Sequence, residues 1–88
     1  MKRSSDFLLR TVAGKQVLVP VGAAAVAFPG MVNVNSTGSY LWQLLEQEQT
    51  LDSLVISVTD KYDVSRETAE ADIEKFVNKL RTIQAIIE

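Results

Sequence analysis

The side chains able to do chemistry in this chain of 88 residues are mostly carboxylates and hydroxyls. The densest group of acids is Glu67, Glu70, Asp72 and Glu74. They pattern as a solvated face rather than as a converging pair, and their sign suits attraction to a basic peptide or enzyme surface. General acid–base work at neutral pH most often uses histidine, and metal sites rely on histidine and cysteine. The chain contains neither. Ser/His/Asp and Cys/His catalysis are therefore impossible within it, and there is no thiol, disulfide or cysteine-bound metal. The expectation is a non-catalytic protein with no cofactor and no metal site.

Charge narrows the partners. Nine basic residues stand against eleven acidic ones, for a net charge of −2. A domain that grips a nucleic-acid backbone is usually basic, and here the lysines and arginines are spread along the chain. No stretch approaches the roughly 18 to 20 apolar residues that a bilayer requires. Lys2 and Arg3 read as part of a disordered tail, with no signal-peptide core behind them. No membrane or nucleic-acid partner is expected, and the simplest location is cytoplasmic. With 47% hydrophobic residues, the chain can build one modest core, and residues 1–88 read as a single domain.

The elements that would position a binding surface follow from periodicity. The chain changes character near residue 35, with strands before that point and helices after it. Asp6 to Ala13 and Gln16 to Val21 are β-rich runs around a turn at Gly14-Lys15, the pattern of a hairpin. Val17, Val19 and Val21 fall on one face, and Pro20 belongs at a strand end or edge. Gly22 to Phe28 reads as a loop cut off by Pro29-Gly30. Met31 to Asn35 alternates apolar and polar residues, as a short half-buried strand does.

Three helices follow, over about residues 36–47, 51–62 and 66–86. Asn35 or Ser36, Thr50 and Ser65 are suited to cap them. Leu51, Leu54, Val55, Val58 and Tyr62 form the stripe of the second helix. Ala69, Ile73, Phe76, Val77, Leu80 and Ile83 share one face of the third. Trp42 reads as a core anchor, and the apolar Ala85-Ile86-Ile87 should dock on the body. The expected fold is α+β: a three-stranded antiparallel sheet followed by three helices, similar to a winged helix-turn-helix.

The ordered set of segments carries a family likeness. Phe7-Leu8-Leu9-Arg10-Thr11-Val12-Ala13-Gly14 leads to Val17-Leu18-Val19-Pro20. Val32-Asn33-Val34-Asn35-Ser36-Thr37-Gly38 runs into Tyr40-Leu41-Trp42-Gln43-Leu44-Leu45. Thr50-Leu51-Asp52-Ser53-Leu54 precedes Tyr62-Asp63-Val64, and Ala71 to Leu80 closes the set. Together they resemble the PqqD family, the standalone form of the precursor-peptide recognition element. Two positions depart from the pattern. Val34 stands where leucine is usual, and Ala85-Ile86-Ile87 replaces a glycine followed by two aliphatic residues.

The resemblance implies a function in peptide natural-product or cofactor biosynthesis. Such a protein binds the leader segment of a ribosomally made precursor and presents it to a modifying enzyme, often a radical S-adenosylmethionine (radical SAM) enzyme. It also implies the mode, in which the leader adds as an antiparallel strand beside the third strand, in a cleft against the third helix. The peptide-binding residues would then be Met31, Val32, Asn33 and Val34 on the strand. On the helix they would be Ala69, Asp72, Ile73, Phe76, Val77 and Leu80, with Lys75 and Lys79 at the rim.

The physics is compatible with that mode. A sheet edge leaves N–H and C=O groups unpaired, and an extended peptide satisfies them by strand addition. Burying two or three aliphatic guest side chains contributes roughly 1.5 to 3 kcal/mol each. After ordering costs, a micromolar-class affinity of about 8 kcal/mol is reasonable. Without the resemblance, Ile73, Phe76, Val77 and Leu80 are simply the core face of an amphipathic helix. Two other functions fit the same layout. One is a winged-helix DNA-binding domain, which the acids in the first half of the third helix oppose. The other is a structural dimerisation domain. A monomer or weak homodimer is the expected state.

Overall fold

The computed structural model describes residues 1–27 and 30–88. Among these described residues nine elements follow one another: β1 (Lys2–Arg3), β2 (Phe7–Val12), β3 (Lys15–Pro20), α1 (Ala23–Ala27), β4 (Val32–Val34), α2 (Ser36–Leu44), α3 (Leu51–Lys61), α4 (Arg66–Thr82) and β5 (Ile86–Ile87). The main sheet is antiparallel, in the order β2-β3-β4. A separate two-stranded sheet pairs β1 with β5.

The β2–β3 hairpin turns on two residues, Ala13 (φ 52°) and Gly14 (φ 78°). Left-handed backbone at both positions matches the right-handed strand twist. The turn thus sits one residue earlier than expected, and Lys15 opens β3. The three-residue strand β4 alternates as predicted, with Val32 and Val34 buried and Asn33 exposed. Val17 and Val19 share a face with Asn33 and Arg10, because cross-strand partners point the same way. That face lies opposite the main core, into which the fully buried Leu18 points, although Val17 is itself only 4% exposed.

Each of the three longer helices starts at a side-chain cap. Asn35 accepts from the Gly38 N–H at 2.8 Å, Thr50 from Ser53 at 3.0 Å and Ser65 from Thr68 at 3.1 Å. These bonds satisfy donors that a helix N-terminus leaves free. Helix α2 ends at Leu44 rather than Gln47. Its last turn tightens into shorter-range bonds, Glu46 N–H to Gln43 and Gln47 N–H to Leu44, while the Leu45 carbonyl accepts from Arg3 at 2.8 Å. Helix α4 ends at Thr82 rather than Ile86. Gln84 takes a left-handed conformation (φ 59°). The Gln84 N–H then bonds to Arg81 and the Ala85 N–H to Leu80, the pattern of a Schellman motif. The left-handed residue of this corner is thus a strained glutamine, one position before Ala85, where the family pattern has glycine.

Two further expectations fail. The stretch read as a loop contains the five-residue helix α1, none of whose residues is buried; Phe28 and Pro29, the end of that stretch and the start of its proposed break, lie outside the described residues. Lys2 and Arg3 are not a loose tail. They pair with Ile87 and Ile86, and the Arg3 guanidinium donates to the Trp42 carbonyl at 3.1 Å and lies over the Trp42 ring. One cluster forms the core, joining Phe7, Leu18, Val32 and Val34 of the sheet to Trp42, Leu54, Ile73, Leu80 and Ala85. No described helix is long and apolar enough to cross a membrane.

Candidate functional site

The sheet order leaves β4 with a neighbour on one side only. Which of its peptide groups face the open side follows from the hairpin. A two-residue turn closes on a hydrogen-bonded pair, here Val12 and Lys15. Antiparallel pairs alternate between bonded and non-bonded, so Arg10↔Val17 is bonded and Thr11↔Gln16 is not. On its other side β3 must then bond through Gln16 and Leu18, to Val34 and Val32. The pair Val17↔Asn33 is the non-bonded one. The N–H and C=O of Asn33 therefore point away from β3, to the free edge. An independent contact agrees, since the Asn33 carbonyl accepts a hydrogen bond from Lys79 Nζ at 3.2 Å.

That edge faces a cleft of about 250 Å³. Its walls are Asn33 and Val34 from β4, the cap residue Asn35, Thr37, Gly38 and Leu41 from α2, and Asp72, Lys75, Phe76 and Lys79 from α4. Gly38 sets the floor. A β-carbon there would lie 2.7 Å from Val34 Cγ1 and 3.0 Å from Phe76 Cε1, so only glycine allows α2, β4 and α4 to meet this closely. The Ser39 hydroxyl, buried one residue on, bonds to the Gln16 side chain and holds α2 against β3.

The predicted site residues divide. Asn33, Val34, Asp72 and Phe76 line the cleft together, with Lys75 and Lys79 at the expected rim. Phe76 is half-buried, so part of its ring is open to the cleft. Ala69, Ile73, Val77 and Leu80 are exposed by 1% or less. They face the core and offer no surface to a guest, because α3 and the sheet cover that side of α4. Val32 is buried as well, and Met31 is exposed but stands outside the cleft. The sequence reading did not assign Thr37, Gly38 and Leu41 to the site. The Asn35 cap was the local signal that α2 begins at the strand end and must wall the cleft.

A second, larger cleft of about 730 Å³ lies at the opposite edge of the sheet. Residues Phe7 to Arg10 of β2 line it, with Lys2, Arg3, Trp42 and Glu46. Among the described residues no group of three acidic side chains is placed to hold a metal ion.

Residues 7–86 match the family described as coenzyme PQQ synthesis protein D (PqqD). The chain belongs to the PqqD family. The match covers every element of the main sheet and all four helices. Among solved structures, this PqqD-family chain is similar to "TbiB1 in Complex with the TbiA(beta) Leader Peptide", with a TM-score of 0.74 and 24% identity over 97% of this chain and 93% of that one. That likeness is one of fold. No curated protein matches at a significant level.

Proposed function

We propose that this PqqD-family protein binds the leader segment of a ribosomally made precursor peptide and presents it to a modifying enzyme, a radical SAM enzyme by preference. The leader adds as an antiparallel strand to β4 in the cleft against α4. The observation that carries this reading is the Asn33 peptide group, turned to an open edge and walled by a helix. Strand addition draws affinity from such an edge, and alternate guest side chains reach the cleft behind it. That the similar TbiB1 structure is a complex with a leader peptide supports leader binding by this fold. The protein contributes no catalytic group of its own to the modification.

The test is a titration of isotope-labelled protein with the leader peptide encoded beside its gene. Chemical-shift changes are expected at Val32 to Asn35 and from Asp72 to Lys79. Changes confined to β2 and the larger cleft would sink the proposed mode. The DNA-binding alternative finds little support at α4, whose first-turn Arg66 is already held by Asp52 at 2.6 Å and Glu70 at 2.9 Å.

A further inference from the structure

Lys79 holds the one backbone acceptor that an incoming strand needs. Its ammonium lies 3.2 Å from the outward carbonyl of Asn33, close to the distance a guest amide nitrogen would take. An antiparallel guest must donate to that carbonyl and accept from the Asn33 N–H. The ammonium must then yield or share its acceptor. Losing it would leave a cation at the wall of a cleft that the guest has just closed to water, which is costly unless a counter-charge arrives.

The surroundings offer little replacement. Among the described residues neither Lys75 nor Lys79 takes part in an ion pair, although Arg66 and Arg81 on the same helix do. The cleft wall holds these two cations, one helical turn apart, against the single acid Asp72. It is net positive on a chain whose net charge is −2. Guest side chains next to the residue opposite Asn33 point to the α4 side, because neighbours on a strand alternate faces. A carboxylate there meets Lys79 as it leaves the backbone.

We infer that Lys79 is a specificity switch: it caps the Asn33 carbonyl in the empty protein and transfers to an acidic side chain of the guest strand on binding. The inference rests on the strand-addition reading and assigns the guest's chemistry, a strand with a carboxylate among its cleft-facing apolar residues.

The experiment measures affinity by calorimetry for wild type, Lys79→Met and Lys79→Arg. The two probes are the synthetic leader peptide encoded beside the gene and the same peptide with every acidic residue replaced by its amide. Lys79 is exposed on a helix and methionine is a good helix former, so folding is preserved. Expected is a crossover. K79M binds the acidic leader roughly three- to tenfold more weakly than wild type, yet binds the amide peptide at least as tightly as wild type, having no cap to displace. K79R restores preference for the acidic leader. Equal losses for both peptides, no change for either, or a natural leader without acidic side chains would each overturn the switch. Shift changes at Val32 to Asn35 that are indifferent to K79M overturn this inference alone, whereas an absence of such changes overturns strand addition as well.

Discussion

The sheet has two free edges, and they differ in a way that decides function. The β2 edge is six residues long and opens on the larger cleft. The β4 edge is only three residues long. Length and cleft volume would favour β2. What β4 has instead is a wall: α2 and α4 converge behind it, joined at Gly38, and set Phe76 and two lysines beside the single outward peptide of Asn33. On β2 the outward groups belong by alternation to Phe7, Leu9 and Thr11. Among the described residues nothing along that edge resembles the Lys79 contact. A strand edge alone invites any partner. An edge in a shaped, charged cleft selects one.

The largest effect should come from removing the outward donor on each edge in turn. Asn33→Pro deletes an N–H that the native sheet does not use, so thermal stability should change little. Leader affinity should fall about tenfold or more, as the guest loses a backbone bond and meets a proline ring. Thr11→Pro makes the matched change on β2 and should leave affinity within about twofold by calorimetry. The reverse ranking would move the site to the other edge.

A smaller effect is expected at the wall. Gly38→Ala forces Val34 and Phe76 apart. Overpacking of about 1 to 3 kcal/mol is partly offset by alanine's better helix propensity, about 1 kcal/mol. The net should be a loss of about 1 kcal/mol in denaturant unfolding, with leader binding weakened several-fold. Unchanged binding would mean that the floor of the cleft does not touch the guest.

The smallest effect calibrates the others. Gln84→Gly relieves a left-handed glutamine that lines neither of the two clefts. It should add about 0.5 to 1 kcal/mol and raise the melting temperature by roughly 2 to 8 °C, with no change in leader affinity. If affinity moved with stability here, the losses at Gly38 could not be assigned to the cleft.

What could be read from the sequence was local. The Asn35, Thr50 and Ser65 caps and the alternation of Val32-Asn33-Val34 each depend on a few neighbouring residues, and the structure has them. The misses are of another kind. Helix α1 buries no side chain, so the periodicity that marks an amphipathic helix was never present in Ala23–Ala27. Strands β1 and β5 are two residues each and meet across nearly the whole chain, which no local pattern can announce. The face of α4 shows the same limit. Ala69, Ile73, Phe76, Val77 and Leu80 lie on one stripe, and periodicity cannot divide a stripe. The division into core and cleft is made by α3, which covers Ile73 and its neighbours, and by Gly38, whose missing side chain lets the Phe76 ring pack against α2 at the cleft floor.

The pairing of Lys2 with Ile87 has a consequence for architecture. It makes the fold topologically a loop. A host chain entering at one strand leaves at the other, within the roughly 5 Å that separates paired strands. Such a unit can be spliced into a surface turn of a larger enzyme without prising either partner open. Once it is tethered there, delivery of a bound guest depends on effective concentration and linker reach as much as on contact energy, and a modest grip becomes an advantage when the guest must later be released.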